Sequence, residues 1–297
     1  TDTYRQLINR LLRATTKLPG LAGKVQSGGR LNLAQALAST DNRPLNDDFA
    51  TRAQLTGANV LVRSSNVGAS PESGEPALAG VAVTSSLWWT WTATSSSIVT
   101  FDTNGSSYDT TLAVYTGSSL GVLQTVDSND DAAPGTITSS VTINVTAGTT
   151  YQIAIDGKNG ASGFTVLKIG ARPSNDTFAK AQLITGTSLS ATGTTLYGTS
   201  EAGEPKPSTS ASGHSVWYKW TAPATTRESL SVYSTEGDTI AGVYTGSSVS
   251  GLTLIAANNN SSSINSSALV PFNATTGATY YFLVDNSLSD GTNGIAF

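Results

Sequence analysis

The feature that most constrains this chain is that it repeats itself. Asn46-Asp47-Asp48-Phe49-Ala50 recurs as Asn175-Asp176-Thr177-Phe178-Ala179, an offset of 129 residues. The same offset carries Gly74-Glu75-Pro76 onto Gly203-Glu204-Pro205 and Ser86-Leu87-Trp88-Trp89-Thr90-Trp91 onto Ser215-Val216-Trp217-Tyr218-Lys219-Trp220. It also carries Val114-Tyr115-Thr116-Gly117 onto Val243-Tyr244-Thr245-Gly246, and Tyr151 to Asp156 onto Tyr280 to Asp285. A period of this length is too long for a solenoid unit and is the size of a domain, so the chain holds tandem copies of one domain.

Within each copy apolar residues alternate with polar ones: Leu87, Trp89 and Trp91 on one parity, and Val141, Ile143 and Val145. Further runs at 98–102, 112–116, 122–126, 151–156 and 164–169 are separated by Gly, Asn, Asp and Ser clusters. Period-two alternation at this spacing predicts half-buried antiparallel strands. Composition agrees: Ser and Thr number 83 of 297 residues and only 12% are charged, which suits strand faces and turns better than helix interiors. The predicted fold is all-β, two tandem antiparallel β-sandwich domains of jelly-roll type over 46–172 and 173–297. The last strand of the first copy reads as complete at 163–169, whereas its counterpart stops at Gly294-Ile295-Ala296-Phe297. A sandwich with half an edge strand is expected to leave unpaired backbone groups and an open apolar groove, which missing residues or another chain must cover.

Residues 1–45 differ in kind. Tyr4, Leu7, Ile8, Leu11 and Leu12 recur at helical spacing and predict an amphipathic helix. A second short helix is expected within 31–38. This segment carries seven Lys/Arg against two Asp/Glu, while 46–172 carries five against ten and 173–297 four against eight. An acidic body without a basic, aromatic-interleaved stripe argues against nucleic acid as a partner. The absence of cysteine excludes disulfides and thiolate metal sites, and no apolar run is long enough to span a membrane as a helix. With neither an initiator Met nor a signal-peptide core at Thr1, the chain is expected to be a processed product or a fragment.

The run from Leu18 to Leu37, with Ser27-Gly28-Gly29-Arg30-Leu31-Asn32 at its centre, resembles the closing segment of bacterial subtilisin-like serine protease domains. The two repeats resemble bacterial pre-peptidase C-terminal domains, on the Asn-Asp-x-Phe-Ala, Gly-Glu-Pro, Ser-x-Trp-x-x-Trp, Val-Tyr-Thr-Gly and Tyr-x-x-x-x-Asp signatures. These resemblances imply the C-terminal region of a secreted, extracellular protease: the tail of the catalytic domain over 1–45, then two sandwich modules.

No catalytic residue carries over. The only histidine is His214, which lies in a Ser/Gly loop where the first copy has Ser85, and a Ser-His-Asp triad needs its base beside the nucleophile. The acid pairs Glu72/Glu75 and Glu201/Glu204 have the composition of a glycosidase dyad, but the proline after each second glutamate points to a shaped turn. Asp102, Asp109, Asn129, Asp130 and Asp131 supply hard oxygen ligands from neighbouring strand ends, the set Ca²⁺ takes. The aligned second-copy residues, Ser231, Asp238 and Asn258 to Asn260, have lost most of that charge, so Ca²⁺ is expected in the first sandwich alone; the same residues also cap turns. Trp88 and Trp217 fall on the parity opposite the core. There they either bind a sugar or apolar partner or pack beneath a loop such as the Gly-Glu-Pro segment.

The reading that follows is a non-catalytic module that attaches a secreted protease to a protein or polysaccharide surface, or aids its secretion and maturation, through weak multivalent contacts. The alternative is a subunit of an extracellular filament, in which a strand or helix donated by one copy completes the next.

Overall fold

The computed structural model describes residues 3–22, 24–25, 27–260, 267–287 and 294–297. It divides into two compact units, Thr1–Ala171 and Arg172–Phe297.

The N-terminal segment belongs to the first unit. Helix α1 (Tyr4–Arg13) is opened by a Thr3/Gln6 capping box, and α2 (Leu33–Ala38) by Asn32, whose side chain accepts from the Gln35 amide at 3.0 Å. Between them β1 (Thr15–Lys17) and β2 (Gly29–Leu31) pair antiparallel. The docking onto the first sandwich is polar. Asn9 donates to the Val67 carbonyl (3.1 Å) and Arg43 pairs with Asp47 and Asp48 at 2.9 Å each, while within the segment Asn9 donates to the Asn42 carbonyl (3.0 Å) and Arg13 reaches the Arg43 and Pro44 carbonyls and the Asp41 carboxylate.

The first sandwich has nine strands. They are β3 (Ala53–Leu55), β4 (Val60–Ser65), β5 (Leu87–Thr92), β6 (Ser97–Asp102), β7 (Thr110–Thr116), β8 (Gln124–Asn129), β9 (Ser140–Val145), β10 (Thr150–Gly157) and β11 (Phe164–Ala171). One sheet runs β3-β5-β10-β7-β8 and the other β4-β11-β6-β9. Every neighbouring pair is antiparallel except the short β3 against β5. Leu87, Trp89, Trp91, Val99, Phe101, Leu112, Val114, Val141, Ile143, Ile153 and Leu167 close one core between the sheets, the two-layer solution for strands that are apolar on one face. The run expected at 122–126 is displaced: Leu120–Val122 forms a 3-10 turn and β8 starts at Gln124.

The second sandwich repeats this frame with β12 (Gln182–Leu183), β13 (Val216–Thr221), β14 (Thr226–Val232), β15 (Thr239–Thr245), β16 (Thr253–Asn258), β17 (Ala268–Ala274) and β18 (Thr279–Asn286). Even the bulge is copied: the β7/β8 register shifts between Val114 and Tyr115, and the β15/β16 register between Val243 and Tyr244. The first sheet is again five-stranded, β12-β13-β18-β15-β16, but among the described residues the second contains β14 and β17 alone.

Candidate functional site

The motifs that repeat between the copies converge on one cradle outside the core. Asn46 brackets β5, accepting from the Trp88 amide (2.8 Å) and donating to its carbonyl (3.1 Å), and Asn175 does the same for Trp217. Glu72 accepts from the Phe49 amide at 2.9 Å, and Glu201 from the Phe178 amide at 2.5 Å. Glu75 accepts from the Glu72 amide, the Ser86 hydroxyl and the Trp88 indole N–H; Glu204 accepts from the Glu201 amide, Ser215 and Trp217. Burial pushes the Glu75 and Glu204 carboxyls above the ordinary glutamate range, although these donors pull the other way. The acid pairs are therefore turn-forming groups, and each second glutamate is the acceptor for a buried indole.

This geometry corrects the expectation of ligand binding at Trp88 and Trp217. Both lie on the face opposite the core, as the alternation requires, yet both are fully buried at 0% exposure. The Gly-Glu-Pro loop covers them, with Phe49 edge-on to Trp88 at 5.1 Å and Phe178 edge-on to Trp217 at 5.3 Å. No ring face is left for a sugar or a partner surface.

The expected metal ligands separate into two groups. Carboxylate oxygens of Asp109, Asp130 and Asp131 come within 4.8 Å of one another. Asp102 does not join them. Asp102 is buried and accepts from the Asn104 amide at 2.9 Å. Asn129 turns its side-chain oxygen to the Ser140 amide (2.9 Å), and its second-copy counterpart Asn258 does the same with Leu269 (3.3 Å), so this is a turn contact common to both sandwiches. The three acids face a cation from the chain itself, since Lys158 Nζ lies 2.6 Å from Asp130 and 3.9 Å from Asp131. The second copy has Asn259 and Asn260 for the two aspartates and Ser287 for the lysine, whose amide bonds the Asp238 carbonyl as that of Lys158 bonds Asp109. Asp130, Asp131 and the lysine are present together and absent together, while Asp109 is kept as Asp238. Burial raises the Asp109 carboxyl above its ordinary value against the pull of Lys158. Ca²⁺ takes six to eight oxygens; here it would have to displace an ammonium to gain three carboxylates.

His214 sits in a network that its sequence position did not disclose. Its Nδ1 is 3.0 Å from the Ser212 hydroxyl, which reaches Asp285 at 2.8 Å. The Asp285 carboxylate also accepts from the Gly213, His214 and Asn286 amides. Here the carboxylate binds the serine rather than the imidazole, the reverse of a relay in which an acid orients the base. Burial holds the imidazole below its ordinary pKa despite Asp285 and Asp176.

A groove of about 490 Å³ lies in the second sandwich, floored by Tyr218, Trp220, Phe272 and Phe282 and walled by Glu228–Val232 of β14. Phe297 borders it. Thr194 Oγ1 donates to the Ile295 carbonyl (3.1 Å) and the Ile295 amide to Thr195 Oγ1 (2.9 Å), repeating Ser65 to Gly163 (2.8 Å) and Gly163 to Asn66 (2.8 Å) at the entry to β11. Phe297 thus stands where Thr165 stands in the first sandwich.

No protein-family model and no curated protein matches this chain. Among solved structures, the PBSX exported protein XepA aligns at 9% identity over 78% of this chain and 87% of its own, with a TM-score of 0.25. The N-terminal CBM22-1-CBM22-2 tandem domain of Xyn10C from Paenibacillus barcinonensis aligns at 11% identity over 81% and 90%, with a TM-score of 0.22. Among the described residues no helix is long and apolar enough to cross a membrane.

Proposed function

We propose that this chain is a non-catalytic extracellular attachment module, the tail of a subtilisin-like catalytic domain followed by two sandwiches that hold the enzyme at a protein or polysaccharide surface. The observation that carries this reading is the surface of the N-terminal segment. Tyr4, Leu7, Leu31, Leu33 and Leu37 are 75, 47, 59, 58 and 77% exposed, while the contacts tying the segment to the first sandwich are polar. Apolar side chains presented on this scale belong against another domain, the place the resemblance gives them. The test is co-sedimentation of the chain with insoluble protein and polysaccharide, together with sedimentation velocity of residues 1–297 and 46–297. A monomer in both cases that pellets with a polymer supports the module; no retention on any polymer overturns it.

A second reading, a subunit of an extracellular filament, draws on a separate observation: among the described residues β14 pairs with β17 alone. Ordered polymers of the full chain by negative-stain imaging, lost when 1–45 are removed, would support this reading over the first.

A further inference from the structure

The acidic cluster of the first sandwich and its neutral twin in the second differ in how their oxygens are satisfied. In the second copy the Asn260 side chain, turned with its nitrogen toward the carboxylate, donates to Asp238 Oδ1 at 2.9 Å. The first copy has Asp131 for that asparagine and Asp109 for that aspartate. Their carboxylate oxygens, with those of Asp130, come within 4.8 Å of one another. Two carboxylates cannot donate to each other, so a third group must stand between them.

Lys158 answers part of this need. Its ammonium reaches Asp130 Oδ2 at 2.6 Å and Asp131 at 3.9 Å, whereas Asp109 has no ion-pair partner among the described residues. Three carboxylates against one ammonium leave two negative charges uncompensated. Asp109 Oδ1 and Asp130 Oδ1 are both shielded from solvent, and neither accepts a hydrogen bond. A third orphaned oxygen belongs to β7 itself: Thr111 is fully buried and its hydroxyl has no partner. It lies two residues past Asp109, on the same face of the strand. The β7/β8 register that pairs Leu112 with Asn129 carries Thr111 opposite Asp130. Its second-copy counterpart is Ile240, equally buried. The hydroxyl is thus lost together with the two acids and the lysine.

We propose that the first sandwich holds one Ca²⁺ between Asp109, Asp130 and Thr111, on the oxygens that Lys158 does not bond. Asp109 Oδ1, Asp130 Oδ1 and Thr111 Oγ1 are its protein ligands, water completes the shell, and Asp131 adds charge from the rim. Lys158 stays on Asp130 Oδ2, so no ammonium is displaced. Ca²⁺ suits an irregular set of hard oxygens better than Mg²⁺, which demands a near-ideal octahedron. The ion ties the start of β7 to the turn after β8, whatever surface the module attaches to.

The probe is CaCl₂ alone, titrated into the intact chain by calorimetry, with the thermal midpoint of the first sandwich followed at constant ionic strength. One Ca²⁺ per chain is expected, with a dissociation constant of about 0.1–1 mM, the range of extracellular modules, and a raised midpoint. Asp131→Asn builds the second copy's amide and gives Asp109 a donor. It weakens binding at least about tenfold while the chain without Ca²⁺ keeps its stability, a combination that general damage to the fold does not produce. Thr111→Val, close in shape, weakens binding about three- to tenfold, and Lys158→Gln tightens it by a similar factor by removing a neighbouring positive charge. No saturable binding at up to about ten times the expected constant overturns the proposal. Binding that Asp131→Asn and Thr111→Val both leave unchanged does so too, as does a midpoint that rises equally with MgCl₂. A wild type that ignores Ca²⁺ and loses stability as pH rises above the ordinary carboxylate range assigns the place to a proton on Asp109 instead, and equally overturns it.

Discussion

Replacing Trp88 separates a binding residue from a structural one, because the two roles differ in what is lost. The indole is fully buried, meets Phe49 at 5.1 Å and Tyr115 at 5.8 Å, and donates to Glu75. Truncation to alanine removes a core-sized aromatic at about 3–5 kcal/mol and deprives a buried carboxylate of one of three donors, about 1–3 kcal/mol more. Against a domain stability of about 5–15 kcal/mol, Trp88→Ala leaves the first sandwich marginal or unfolded. Trp88→Phe keeps the ring contacts and loses only the donor while Ser86 and the Glu72 amide remain, so a loss of about 1–2 kcal/mol and a fall of about 4–8 °C in its melting midpoint are expected. The assay is urea and thermal unfolding followed by far-UV circular dichroism, since fluorescence changes with the tryptophan itself. Trp88→Ala unfolding within about 1 kcal/mol of the wild type would refute the cradle.

Two further substitutions use one copy as the control for the other. His214 is neutral in the fold because burial disfavours the imidazolium; as pH falls below the ordinary histidine value the unfolded chain takes up the proton first, so stability is lost on acidification. His214→Gln removes that loss at a cost of about 1 kcal/mol or less at pH 7. Glu204 titrates with the opposite sign but is present in both proteins, so parallel stability curves for wild type and variant between pH 7 and 5 would show the reasoning wrong. Lys158→Gln leaves Asp109, Asp130 and Asp131 facing one another, and the melting midpoint of the first sandwich is expected to fall at pH 7 and recover when Ca²⁺ is added. An equal Ca²⁺ response in the wild type would mean that the lysine is not the resident cation.

The fold was legible because it is written twice. The 129-residue offset sets the two domains, and the alternation at Leu87, Trp89 and Trp91 correctly separates the core face from the face of Trp88. Alternation gives the side of the sheet and not what lies above it, so a buried indole and an exposed one read alike. The recurrence of Asn46, Glu72, Glu75 and Trp88 at one offset carried more than it seemed to, for residues that repeat together are residues that touch. Lys158 escaped notice because it follows β10, distant along the chain from the acids it meets, although its replacement by Ser287 alongside two lost aspartates was visible in the repeat. The parallel β3 is three residues long, too short for alternation to mark, and β4 opens with a continuous Val60-Leu61-Val62 run instead of an alternating one.

Two copies of one domain in a single chain form an internal experiment. Whatever both retain serves the shared fold: the asparagine brackets, the glutamate–indole cradles, the bulge before Tyr115 and Tyr244, and the buried aspartates Asp156 and Asp285 that accept neighbouring amides. Whatever differs is free to carry a task. Three differences stand out. The acidic cluster meets its own lysine at Asp130, and His214 is enclosed by Ser212 and by burial. The third is the groove. Among the described residues β14 pairs with β17 alone, beside an aromatic floor, whereas the core of the first sandwich includes Leu167 and Ile169. A charge has entered that wall at Glu228, where a vestigial copy of the first sandwich would keep valine.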